Sequence, residues 1–336
     1  MCFSERPLTV EEAIDAIAVN LADEAYFDPS ERMPIPREIA RLCSSLVSLN
    51  PTGKIQLAHF SVREYLVSER VEPSFRTQLA EIEARASITR VCLAYMNHFG
   101  TFYTAQEICA SFPLASYAAV TWMKHARYAE SLPHILQTIK DFILVQLQAY
   151  RHWLTLIEPD EPWWDVPPHP RFRRTRTKLY YAARAGLPQT VRLLLDNGAN
   201  IDEEGGMNGT ALQVACISGH ENVVKVLLER GADVNTEGGL HSDALTAACF
   251  RGHENIVKML LEAGAHFDPA DPLTALHVAR WEHQDGVVQL LLDHMEDTSI
   301  QQTTSQVCPN LAHSRLSGSD KPLANDCKCE SRPSTD

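Results

Sequence analysis

The segments Gly198-Ala199-Asn200-Ile201-Asp202, Gly231-Ala232-Asp233-Val234-Asn235 and Gly264-Ala265-His266-Phe267-Asp268 are one phrase recurring at 33-residue intervals. A fixed period of this length marks a solenoid of stacked units, each burying its apolar face only against its neighbours. Each phrase follows a stretch with paired leucines: Val191, Leu194 and Leu195; Val223, Val224, Leu227 and Leu228; Ile256, Val257, Leu260 and Leu261. Spacings of one, three and four place these side chains on one stripe of a helix that faces a core. The Gly that follows takes the left-handed conformation that ends such a helix without a side-chain penalty. Upstream of each lies a shorter helix with Ala182-Ala183, Ala215-Cys216 or Ala247-Ala248-Cys249, small residues where two helices approach closely. The connections are Ala185-Gly186-Leu187-Pro188, Ser218-Gly219-His220-Glu221 and Arg251-Gly252-His253-Glu254, with Gly for the tight turn and Pro188 early in the next helix.

Period, paired leucines, Gly-His turn and Gly-Ala-Asp-Val-Asn phrase together resemble the ankyrin repeat, with four units over residues 176–297. The family's Thr-Pro-Leu-His opening stands here as Thr210-Ala211-Leu212-Gln213, Asp243-Ala244-Leu245-Thr246 and Thr274-Ala275-Leu276-His277, without its Pro. The last interval is two residues shorter, trimming the hairpin around Pro269 and Pro272, and Arg280 and His283 replace a small residue and Gly. That unit is expected to be the terminal cap. The resemblance implies that partner contacts come from the concave side, at the two residues before each inter-helix Gly and at the hairpin tips. The first row reads Arg184, Ile217, Phe250, Trp281, and its neighbour Ala185, Ser218, Arg251, Glu282; the tips offer Met207, Leu240 and Asp271. An apolar row with an aromatic end and a charged rim suits a protein partner. The competing reading packs Ile217 and Phe250 between repeats and lays Trp281 over the cap.

The chain has 336 residues, room for two or three domains, and a formal net charge of −13. That sign opposes nucleic acid and anionic lipid, which are bound chiefly through Lys and Arg. Nine cysteines without paired spacing read as reduced thiols. No run reads as a signal peptide or a membrane span, so a cytoplasmic location is expected. The basic cluster Arg171, Arg173, Arg174, Arg176 and Lys178 is a candidate nuclear-import signal or a solvated linker.

Residues 1–72 read as a separate unit. Thr9-Val10-Glu11-Glu12 opens a capped helix, a second helix starts after Pro36, two strand-like pieces (46–49 and 55–60) flank Asn50-Pro51-Thr52-Gly53, and Ser61 to Leu66 form the last helix. This order is consistent with a winged helix. The segments 6–12, Leu42-Cys43-Ser44-Ser45-Leu46-Val47 and Leu57-Ala58-His59-Phe60-Ser61-Val62-Arg63-Glu64-Tyr65-Leu66 resemble the GPI inositol-deacylase-type winged-helix domain. The resemblance implies a place between a NACHT-type ATPase and an ankyrin array, as in fungal NLR-like proteins. The expected fold class is mainly α. A winged helix at 1–72 is followed by a helical arm at 73–157, a Pro/Trp/Arg-rich linker at 158–175, the ankyrin solenoid of four helix-turn-helix units at 176–297, and a disordered tail at 298–336.

Catalytic and metal motifs fail on spacing. Gly53-Lys54 has Ser48 and Ile55 where a phosphate loop needs Gly and a hydroxyl, so no nucleotide hydrolysis is expected. His220-Glu221 and His253-Glu254 lack a second His, having Val224 and Val257 there. Cys327-Lys328-Cys329 with Cys308 and His313 is irregular for zinc, and no Gly-x-Ser-x-Gly elbow exists. The resemblance raises one nucleotide question: related winged helices set a His near His59 against ADP phosphate, whereas a lone His before a helix is more often structural. As a DNA reader the second helix offers only Arg37 and Arg41 beside Glu38. The expected function is a non-catalytic protein-binding platform without cofactor or metal, the sensor half of an NLR-like protein. The alternative is a regulatory part of a NACHT-type ATPase whose winged helix contacts a nucleotide domain absent from this chain.

Overall fold

The computed structural model describes residues 2–22, 25–35, 38–42, 45–99, 103–157, 177–268 and 274–307. Thr9 and Glu12 form the capping box that the sequence signals: Thr9 Oγ1 accepts from the Glu12 amide (3.1 Å) and Glu12 accepts from the Thr9 amide (2.8 Å). They open α1 (Val10–Ile17), preceded by β1 (Leu8–Thr9) and followed by the small ribbon of β2 (Val19–Asn20) and β3 (Tyr26–Phe27). After α2 (Glu38–Leu42), β4 (Val47–Leu49) and β5 (Lys54–Leu57) form the expected antiparallel wing, and β1 adds a third strand beside β5 that the sequence reading did not foresee. Gly53 lies in the wing's turn at φ 76°, its amide held by the Asn50 carbonyl at 2.9 Å. Val10, Ala13, Ile14, Ile39, Val47 and Ile55 make this domain's core. Helix α3 (Phe60–Leu66) follows directly, with α4 (Pro73–Leu79) beyond it.

The arm comprises α5 (Glu81–Asn97), α6 (Ala105–Ser111), α7 (Ala115–Ala129), α8 (Pro133–Lys140), a π-helical turn (Asp141–Val145) and α9 (Leu147–Ile157). Its core is aromatic: Trp122 and Trp153 are buried with ring centroids 5.7 Å apart, and Trp153 Nε1–H donates to the Ala119 carbonyl at 2.9 Å. The arm is also tied to the winged helix. Asp15 of α1, 1% exposed, accepts from Arg32 Nε at 2.6 Å and from the Tyr95 hydroxyl of α5. A buried carboxylate needs such partners, so the boundary near residue 72 separates sequence signatures rather than independent bodies.

The ankyrin helices stand where the paired leucines place them: α10 (Lys178–Ala185) and α11 (Pro188–Asp196), α12 (Ala211–Ser218) and α13 (Glu221–Glu229), α14 (Ala244–Arg251) and α15 (Glu254–Glu262), then α16 (Ala275–Trp281) and the start of α17 (Asp285–Val307). The first helices of the pairs pack on one another as an inner layer, and α11, α13 and α15 pack as an outer one. Leu194, Leu227 and Leu260 are buried, while their neighbours Leu195 and Leu228 are only half-buried at the edge of the stripe. Pro188 occupies the first turn of α11, and Gly186, Gly219 and Gly252 end the inner helices in the left-handed conformation. The recurring phrase has its own geometry. The Asp233 amide donates to Asp202 Oδ1 (3.0 Å) and the His266 amide to Asn235 Oδ1 (3.2 Å), so the last side chain of one phrase holds the third residue of the next.

The tail expectation needs correction over 298–307, where α17 continues. Nothing between Gly286 and Pro309 breaks a helix, and a polar pattern alone does not end one. From Gln289 onward this helix belongs to a second unit, in which Gln289 Nε2 donates to Asp293 at 2.7 Å. The remaining tail, the linker at 158–175 with Arg171, Arg173 and Arg174, the neighbouring Arg176, Arg37 of the winged-helix unit, and Asp271 with Pro269 and Pro272 lie outside the described residues.

Candidate functional site

Three of the four inner helices end on a left-handed Gly, and most of the sequence-predicted contact residues sit at the inner-helix ends. Arg184, Ile217, Ser218, Phe250 and Glu282 are half-buried, Arg251 is exposed, and Trp281 is 83% exposed. Trp281 therefore does not lie over the cap. At the hairpins Met207 is half-buried and Leu240 exposed. Phe250 has two neighbours over its ring: the His241 ring, tilted by 40° with centroids 4.7 Å apart, and the Arg251 guanidinium, 5.5 Å from the ring centre. Burial, then the Arg251 charge, holds His241 below the usual histidine range. Sequence reading missed His241 because nothing in a hairpin's residue order shows which tip folds back onto its helix.

Successive turns are locked by the Gly-His pair. His220 Nε2 donates to the Arg184 carbonyl at 2.9 Å, and its ring covers Gly186 so closely that a Cβ there would lie 2.9 Å from it. His253 covers Gly219 and Gln284 covers Gly252 in the same way. The Thr210-Ala211-Leu212-Gln213 opening also has a job despite its missing Pro: Thr210 caps α12, and Gln213 Nε2 reaches the Thr236 and Ser242 carbonyls of the next hairpin at 2.9 and 3.1 Å. The buried thiols of Cys216 and Cys249 are pushed up by burial, which leaves them packing groups.

The site extends beyond the repeats. Trp153 of α9 meets Tyr181 of α10 at 5.4 Å, and Glu130, at the end of α7, accepts from the first turn of α11. This docking sets α7 beside the ends of α10 and α12 and leaves a groove of about 530 Å³ between them. Val120, Met123, Lys124, Arg127 and Tyr128 of α7 face Arg184, Ala185 and His220 across it. The sequence reading treated the arm as a spacer and passed over this wall. Lys178, the described member of the basic cluster, lies 5.6 Å from the Tyr150 ring centre, and burial lowers its pKa.

His59 is an exposed helix cap. Its Nδ1 accepts from the Ser61 amide of α3 at 3.2 Å, and its ring stacks on exposed Phe60 at 4.3 Å. In α2, Arg41 stands 4.0 Å from Glu38, a poor start for phosphate contacts. No helix among the described residues is long and apolar enough to cross a membrane.

Comparison with known proteins finds the same order of domains. Residues 1–78 match the winged helix domain of GPI inositol-deacylase, and residues 156–238 and 239–303 match ankyrin repeats. Azaphilone pigments biosynthesis cluster protein L of Monascus ruber is 32% identical over 240 residues, covering 64% of this chain and 50% of that protein. The chain thus spans about half the length of the curated relative it matches. It carries a GPI inositol-deacylase winged-helix domain followed by ankyrin repeats, neither of which is a catalytic fold.

Proposed function

We propose that this chain is a non-catalytic platform that binds a protein partner on the inner-helix face of its ankyrin stack. The observation that carries the reading is Trp281, a large apolar side chain standing in solvent at the end of a row that includes Ile217 and the covered ring of Phe250. Exposed aromatic groups of this kind supply most of the energy at protein interfaces. Arg184, Met207, Ser218, Leu240, Arg251 and Glu282 complete the surface. The domain order supports a NACHT-associated, NLR-like role, with partner recognition passed through the docked arm to an ATPase domain. A cytoplasmic location follows from that role. The relative's name links it to a biosynthesis cluster, which leaves room for an interaction protein serving such a cluster. Proteins co-purifying with the full chain, compared with a Phe250→Ala/Trp281→Ala chain, test the reading; equal recovery of every partner would refute it.

The exposed ring of His59 beside Phe60 favours the second reading, contact with a nucleotide domain in trans. It requires that such a domain, loaded with ADP, bind the chain, and that His59→Ala weaken the complex.

A further inference from the structure

We infer that the groove between α7 and the ends of α10 and α12 is an anion-selecting pocket that receives an acidic side chain, next to an aromatic or aliphatic one, from the partner protein. The inference rests on the proposed partner binding and adds the partner's chemistry. At about 530 Å³ the groove has the size of an ordinary ligand site. Its apolar part is rigid, because Trp153 and Tyr181 belong to the buried chain of stacked rings joining arm and repeats.

Charge decides what enters. Lys124, Arg127 and Arg184 line the groove, against a single lining carboxylate, Glu5, which is engaged by Arg85 at 3.4 Å. Lys124 and Arg127 are exposed and make no ion pair among the described residues. Such a cationic wall on a chain of net charge −13 is complementary to an acidic group and repels a basic one. A smaller recess of about 240 Å³ shares Arg127 and His220 with the groove and is also lined by Gly186, Gly219, Asn222 and Val223. Glu221 also lines this recess and accepts from Asn255 at 3.0 Å, so the acidic preference belongs to the larger groove. A polyanion is disfavoured because the chain as a whole carries a formal net charge of −13.

The test is selection of a phage-displayed library of random dodecapeptides on the full chain, followed by affinity measurement with synthetic copies. Enriched peptides are expected to place Asp or Glu beside Trp, Tyr, Phe or Leu. Their affinity should fall by about tenfold or more on a Lys124→Glu/Arg127→Glu chain, or when their acids become Asn or Gln, the scale of a lost charge-assisted contact. Both substituted positions are exposed, so an unchanged thermal melt will show that the fold is kept. Peptides without acids, peptides indifferent to the charge reversal, or no enrichment would overturn the inference. Peptides that need Phe250 and Trp281 but not Lys124 and Arg127 would overturn it while leaving the proposed function standing.

Discussion

Glu130, the residue that follows α7 of the arm, caps the start of α11 in the first ankyrin repeat: one carboxylate oxygen accepts from the Thr190 amide at 3.2 Å and its hydroxyl at 3.0 Å. The other oxygen accepts from the Gln189 amide at 3.1 Å. Helix α11 has no cap of its own, since Leu187 precedes it, so its orphan amides are satisfied from another domain. Glu130→Ala should therefore cost about 1–3 kcal/mol, the penalty of buried donors left unpaired, measured by urea unfolding. An unchanged midpoint would mean that the arm does not hold the repeats.

Burial raises the Glu130 pKa, with the hydrogen bonds to Gln189 and Thr190 opposing. The folded state then holds this proton more tightly than the unfolded one, so its contribution is full below the ordinary carboxylate pKa and declines as pH rises through the folded value.

His125 gives the opposite slope. It is buried between Arg85 Nη1 (3.3 Å from Nδ1) and the Tyr117 hydroxyl (3.4 Å from Nε2). Arginine only donates, so Nδ1 must accept and Nε2 carry the proton, which leaves no place for a second. Burial, with the Arg85 and Lys124 charges against that of Glu5, pushes its pKa down to about 4. The unfolded state then binds more protons between about 4 and 6.5, so stability is lost as pH falls across that window. His125→Gln keeps an acceptor for Arg85 and a donor for Tyr117 without titrating. Unfolding at about pH 7 and about pH 5 should show a smaller loss for this variant than for the parent.

Two turn residues make paired predictions. His283 stands at φ 56° where the other units have Gly, a conformation that side chains resist. His283→Gly should stabilise the chain by about 0.5–1 kcal/mol in thermal or urea melts.

Gly219→Ala should act in the other direction. Its φ is 74° and a Cβ would come within 2.7 Å of the His253 ring. A loss of about 1 kcal/mol or more is expected, and an unaffected melt would contradict the packing of His over Gly between repeats.

The stack was legible because its signals are local. Paired leucines, a turn glycine and a recurring phrase all fall within one unit, and neighbouring units repeat them. Even the cap at Thr9 and Glu12 could be read three residues apart. The contacts that build the groove could not: three α-helices, α8 to α10, lie between Glu130 and Thr190, and no periodic pattern marks such a pair. Lys124 and Arg127 carried no signal in the sequence, because only the docking of α7 on α10 gives them a wall opposite. The two-residue β1 strand was too short to alternate, and Trp281's exposure depends on where the last pair ends.

The most direct test of the platform is the affinity of a captured partner for four chains: the parent, Phe250→Ala/Trp281→Ala, Lys124→Glu/Arg127→Glu, and an outer-helix control, Lys225→Ala. Calorimetric titration should show binding strongly weakened by the first two substituted chains and unchanged by the control. Full affinity retained by Phe250→Ala/Trp281→Ala, or loss confined to the outer-helix control, would contradict recognition by the inner face.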